Sequence, residues 1–177
     1  MLGRPFPLDT LPHCDKVNLP TDKGELAFPP FPLAPPPLIG ETMRPINKII
    51  IHCSATPPNM DIGRDEIDRW HRERGWSEIG YHWVVRRNGK IERGRDESRV
   101  GAHAKGHNRE SIGICMVGGV DKNNKAESNF TRDQWDKAEW LVWDVLGRYG
   151  NAEVIGHREV SDKECPSFDV KAWWRGT

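Results

Sequence analysis

The chain has 177 residues, of which 36% are hydrophobic and 29% charged, with eight tryptophans; this is enough for one well-filled core and a tail. Its 26 basic and 26 acidic residues cancel, so no global field holds a polyanion, and nucleic-acid binding is excluded as the expected role. No stretch approaches the roughly 18 consecutive apolar residues of a membrane span, and the N-terminus lacks the charged-then-apolar pattern of a signal peptide, so the expectation is a monomer without membrane insertion, made and kept in the cytoplasm.

Residues 1–45 stand apart from the rest. They hold 11 of the 14 prolines and none of the tryptophans. Phe28-Pro29-Pro30-Phe31-Pro32-Leu33-Ala34-Pro35-Pro36-Pro37 cannot donate a regular backbone ladder and favours extended polyproline conformation. The segment reads as an arm or linker lying over the domain surface, ahead of one domain spanning 46–177, and Met43 offers an alternative start.

From Asn47 the pattern is mixed α/β. Asn47 to His52 predicts a buried strand, and Ile62, Ile67, Trp70 and His71 mark one face of a helix ended by Gly75. Tyr81 to Arg86 predicts a second strand, joined through Arg87-Asn88-Gly89-Lys90 to Ile91-Glu92-Arg93 as a hairpin. Ser111 to Val117 is a further strand stopped by Gly118-Gly119. The longest helix begins at Thr131, with Gln134 placed for a capping box. Trp135, Ala138, Leu141, Val142, Val145, Leu146 and Tyr149 line its inner face, and Gly150 ends it. Val154 to Gly156 adds a short strand, and Asp169 to Trp174 a terminal helix anchored by Trp173 and Trp174. The fold class expected is α/β: a single mixed central β-sheet flanked by helices.

Three metal-competent side chains fall where strands run out into loops. His52 closes the run Ile49-Ile50-Ile51, His157 follows Val154-Ile155-Gly156, and Cys165 comes eight residues later. Two imidazoles and a thiolate suit Zn²⁺, and three protein ligands leave a fourth position for water. Spacing alone leaves the ordinary accounts open: a hydrogen-bonded histidine at a strand end, a cysteine used for packing. The four cysteines are widely spaced in a chain large enough to fold without disulfides, which leaves Cys165 available as a thiol.

The motifs in order are Ile51-His52-Cys53-Ser54-Ala55-Thr56, Gly80-Tyr81-His82, Gly101-Ala102-His103-Ala104-Lys105-Gly106, Val117-Gly118-Gly119-Val120-Asp121, His157-Arg158-Glu159-Val160 and Lys163-Glu164-Cys165-Pro166-Ser167-Phe168-Asp169. Together, from about Asn47 to Trp174, they resemble the phage-type zinc-dependent N-acetylmuramoyl-L-alanine amidases, the type 2 amidase and peptidoglycan-recognition-like group. The resemblance implies one Zn²⁺ per chain held by His52, His157 and Cys165, with Tyr81 and Lys163 as the catalytic pair. It implies hydrolysis of the amide between N-acetylmuramic acid and L-alanine in peptidoglycan, by an endolysin that stays in the host cytoplasm until lysis.

In that chemistry Lys163 is suited to neutralise a tetrahedral oxyanion. Tyr81, a poor base at its ordinary pKa, is suited to position water or deliver a proton to the leaving amine. The small-residue segment around His103 and Lys105 reads as a loop turning both toward a glycopeptide, which makes them the expected substrate-binding residues. His71 and His82 read as structural. Cys53 and His52, adjacent in a strand, face opposite ways and make a poor thiol dyad. Two alternatives accompany the resemblance: a binding module of the same fold that recognises peptidoglycan without cutting it, and a regulator that binds a phage RNA polymerase.

Overall fold

A computed structural model describes residues 44–176, so the reading of residues 1–45 as an arm falls almost wholly outside the described part. The elements in chain order are β1 (Lys48–Cys53), α1 (Arg64–Glu73), β2 (Trp83–Val85), β3 (Ile91–Arg93), β4 (Ser111–Met116), α2 (Arg132–Tyr149), β5 (Glu153–Gly156) and α3 (Val170–Arg175). They build one mixed sheet, as the sequence predicts, with five strands in the order β3-β2-β4-β1-β5. β1 lies between β4 and β5 and is parallel to both, β2 is parallel to β4, and only the β2–β3 hairpin is antiparallel.

Period-two alternation along β1 and β4 gives the sheet two different faces. Ile49, Ile51 and Cys53 join Ile112, Ile114 and Met116 in a large cluster with Ala138, Leu141, Val142 and Val145 of α2 and Val170 of α3. On the other side Val84, Cys115 and Val117 meet Ile67 of α1, while Ile50 and Ile155 pack on Ala104. Parallel strands covered on both faces read as unbroken apolar runs, which is why Ile49-Ile50-Ile51 stands out in the sequence.

The helix ends behave as their chemistry dictates. Thr131 caps α2 and exchanges side-chain and backbone hydrogen bonds with Gln134. The Gln134 amide is itself fully buried and donates from Nε2 to the carbonyls of Val85 at 3.2 Å and Val117 at 2.8 Å. A polar side chain on the core face thus satisfies the carbonyls at the ends of β2 and β4. In the β2–β3 turn Gly89 adopts φ +77°, the left-handed conformation that Asn-Gly turns require.

The second strand is shorter than expected. Tyr81 and His82 lie ahead of β2, and their carbonyls accept from the N–H groups of Arg95 and Gly94 at 2.9 and 2.8 Å. The loop after β3 supplies these partners, and the regular ladder begins only at Trp83.

Candidate metal centre and active site

The parallel pairing of β1 with β5, with Ile51 opposite Gly156, brings the C-terminal ends of both strands to one edge of the sheet. His52 and the first residue after β5, His157, therefore stand side by side with ring centroids 4.5 Å apart. The chain then turns back. Arg158 donates its N–H to the Cys165 carbonyl at 2.7 Å, and the Cys53 N–H reaches the Cys165 sulfur at 3.3 Å. Pro166 follows a cis peptide bond and seats against β5, where a Cβ on Gly156 would stand 2.9 Å from its Cδ.

The three side chains singled out in the sequence are thereby brought together: one donor atom from each of His52, His157 and Cys165 lies within 4.8 Å of the others. His52 presents Nδ1 to the Cys165 sulfur at 3.8 Å, against roughly 3.6 Å for nitrogen and sulfur ligands around a tetrahedral zinc with bonds of about 2.0–2.3 Å. Burial holds the His52 pKa well below its ordinary value, helped by His103, His157 and the Lys163 cation. Burial and Lys163 do the same to His157. Both imidazoles are consequently neutral and keep a lone pair. The hydrogen bond with Cys53, together with burial, pushes the Cys165 thiol up, so a metal binding there would have to displace its proton.

The Tyr81 ring lies 5.1 Å from His52 and 5.5 Å from His71. Burial, with the neighbouring thiols, raises its pKa well above the ordinary value, so the phenol keeps its proton. Lys163 is exposed, and its carbonyl accepts from the Cys165 N–H at 2.8 Å. Cys53 belongs to the α2-facing cluster, and its sulfur sits 3.9 Å from Cys165 and 3.8 Å from Ser167.

His103 corrects the expectation drawn from its loop. It does not turn outward toward a substrate: it is 9% exposed and lies behind His52, its Nδ1 3.0 Å from His52 Nε2 and its Nε2 3.3 Å from Ser111 Oγ. Asn108 Oδ1 accepts from the N–H groups of both His103 and Ala104 at 2.8 and 2.9 Å, which folds the segment back onto the sheet. Lys105, at the tip, is exposed. The small residues make room for packing instead of exposing the loop: a Cβ on Gly101 or on Gly113 would lie 2.5 Å from the His103 ring. Ser111, Asn108 and Gly113 were not singled out from the sequence. The signal available for them was the glycine interrupting Ile112-Gly113-Ile114, since glycine inside a strand often marks a close approach. His71 and His82 are structural, as expected: Nδ1 of each accepts a backbone N–H, from Gly80 at 3.0 Å and from Gly113 at 2.9 Å.

Residues 42–168 match the family model of N-acetylmuramoyl-L-alanine amidase. The chain belongs to that family. Among curated proteins this amidase is 48% identical over 126 residues to the endolysin of Escherichia phage T7, an alignment covering 71% of this chain and 83% of that protein. Among solved structures it is similar to the endolysin amidase LysCS of Clostridium intestinale, at 33% identity and TM-score 0.62, over 71% of this chain and 77% of that one. Wild-type PGRP-LB of Drosophila is similar at 30% identity and TM-score 0.61, over 75% and 81% of the two chains.

Proposed function

We propose that this amidase is a zinc enzyme that hydrolyses the bond between the lactyl group of N-acetylmuramic acid and the L-alanine of the peptidoglycan stem, and that it serves as a phage or prophage endolysin. The observation that carries this reading is the convergence of one donor atom each from His52, His157 and Cys165 within 4.8 Å, a donor set whose softness and number suit an open zinc site. Zinc held there would supply Lewis acidity and an activated water at neutral pH.

The remaining roles fall to the chain's own groups. Tyr81, kept protonated beside His52, donates a hydrogen bond that orients the water or passes a proton to the departing L-alanine amine. Lys163 brings a positive charge on a flexible stem, tethered two residues before Cys165, to the oxyanion that develops on the scissile carbonyl. The exposed Lys105 is free to meet the glycopeptide. The protein acts on the wall once it leaves the host cytoplasm. Residues 46–177 form the catalytic domain and residues 1–45 an arm, so a protein starting at Met43 folds and keeps most of its activity.

Elemental analysis combined with digestion of purified walls tests this. The expected result is about one zinc per chain and release of new L-alanine amino termini, with both lost in Cys165→Ser. Wild type without zinc, or a Cys165→Ser variant with full metal and activity, would sink the metal assignment. A zinc-loaded wild type that sediments with walls and releases no amino termini would instead support the binding-module reading.

A further inference from the structure

We propose that His103 and Ser111 form a buried hydrogen-bond relay that fixes the tautomer and orientation of His52, leaving its Nδ1 lone pair free for the metal. This rests on the reading of His52 as a zinc ligand. The relay assigns His103 a positioning role at the metal in place of a contact with substrate.

The direction of every proton follows from the fixed end of the relay. The Ser111 hydroxyl donates to the His107 carbonyl at 2.7 Å, and a carbonyl can only accept. Having spent its one proton, Ser111 Oγ must accept from His103 Nε2 at 3.3 Å. His103 therefore carries its proton on Nε2 and offers a lone pair at Nδ1, which in turn requires His52 Nε2, 3.0 Å away, to be the donor. A neutral His52 protonated on Nε2 has its lone pair on Nδ1, the atom that faces Cys165. Reversing any link sets two donors or two acceptors against each other in a buried pocket, at a cost of about 1–3 kcal/mol for each unsatisfied group.

The surroundings hold His103 in this state. His103 is 9% exposed, and its ring packs against those of His52 and His82 at centroid distances of 5.0 and 5.5 Å. Its position is equally constrained, between Gly101 and Gly113 and with its backbone N–H tied to Asn108. A partner on the far nitrogen is what a ligating imidazole needs to hold its orientation and basicity. Here the partner is another imidazole, itself oriented by a hydroxyl.

The test uses side chains that imitate one ring nitrogen at a time. Asparagine places Oδ1 near the position of Nδ1 and can accept from His52, whereas glutamine places its carbonyl near Nε2 and leaves His52 without an acceptor. Zinc dissociation constants, measured on the full chain by competition with a chromophoric chelator, should weaken about 10–100-fold in His103→Ala and His103→Gln and recover most of the loss in His103→Asn. Ser111→Ala should fall between. Nitrogen-15 NMR of the zinc-loaded wild type should show protonated Nε2 on both His52 and His103. Wild-type affinity in His103→Ala, no recovery in His103→Asn, or a protonated Nδ1 on either ring would overturn the relay. The NMR result and Ser111→Ala decide the matter even if the His103 variants fold poorly. Failure of the metal reading is distinguishable, because then the wild type binds zinc no better than Cys165→Ser.

Discussion

The two faces of the central sheet are made from alternate residues of the same strands and obey different rules. On one, Ile49, Ile51, Ile112, Ile114 and Met116 meet the apolar side of α2. Apart from the Gln134 amide, nothing there is directional, and stability follows the volume that is filled. On the other, His52, Gly113 and the His82 and His103 rings packed over them are joined by hydrogen bonds from Gly113 to His82, between His52 and His103, and between His103 and Ser111. Each group there has a defined donor or acceptor, so what matters is orientation. Both faces are filled by apolar residues, but the hydrogen-bonded histidines lie on the second.

The contrast predicts that damage to the two faces separates in kind. Leu141→Ala on the apolar face should have the largest effect on stability, lowering it by about 2–5 kcal/mol through the cavity it opens. Zinc affinity and turnover per folded molecule should stay at wild type; denaturant melts read alongside chelator competition check this, and a matching loss of metal affinity would mean that the faces are not independent. Lys163→Ala, at the loop edge of the histidine face, should do the opposite. Turnover should fall on the order of a hundredfold while zinc content and sedimentation with walls are retained. Hydrolysis at the wild-type rate would remove Lys163 from the chemistry.

Gly113→Ala tests the histidine face itself. A Cβ there would lie 2.5 Å from the His103 ring, which should cost about 1–3 kcal/mol of stability by overpacking. Unlike Leu141→Ala it should also weaken zinc binding, because the ring it displaces backs His52. The last effect expected is one of pH. Burial lowers the His82 pKa to about 4, against about 6.5 for a free histidine. The unfolded chain therefore takes up the proton first as pH falls, so the stability that neutral His82 contributes is complete above about pH 6.5 and is lost progressively toward pH 4. His82→Asn keeps an acceptor for the Gly113 N–H and cannot titrate. Urea midpoints between pH 4 and 7 should show a shallower slope in this variant by up to one proton, and an unchanged slope would mean that His82 does not titrate in that window.

Much of the apolar face was legible in the sequence because its signals are local. The seven inward positions of α2, the Thr131 capping box, the Asn-Gly hairpin and the strand that ends in His52 each show within a few residues. The cluster of His52, His157 and Cys165 was legible by motif; His52 and His157 lie at strand ends, while Cys165 lies in the loop between β5 and α3. What escaped was set by partners far along the chain. Gln134 is buried with its amide donating to the carbonyls of Val85 and Val117, and nothing near Gln134 in sequence announces them. The Tyr81 carbonyl accepts from Arg95, in the loop past β3. His103 was read as exposed because a glycine-rich loop usually is, and its true partner His52 is 51 residues away.

The place of β1 between β4 and β5 also bears on how the protein comes into being. At about 5–20 residues per second on the ribosome, roughly a hundred residues must still be added after Cys53 before Gly156 exists, so the apolar run Ile49-Ile50-Ile51 waits on the order of 5–20 s for its second neighbour. His52 waits longer still, since Cys165 follows it by 113 residues. A nascent chain therefore carries the hydrophobic hazard of the fold well before it can bring the side chains of His52, His157 and Cys165 together.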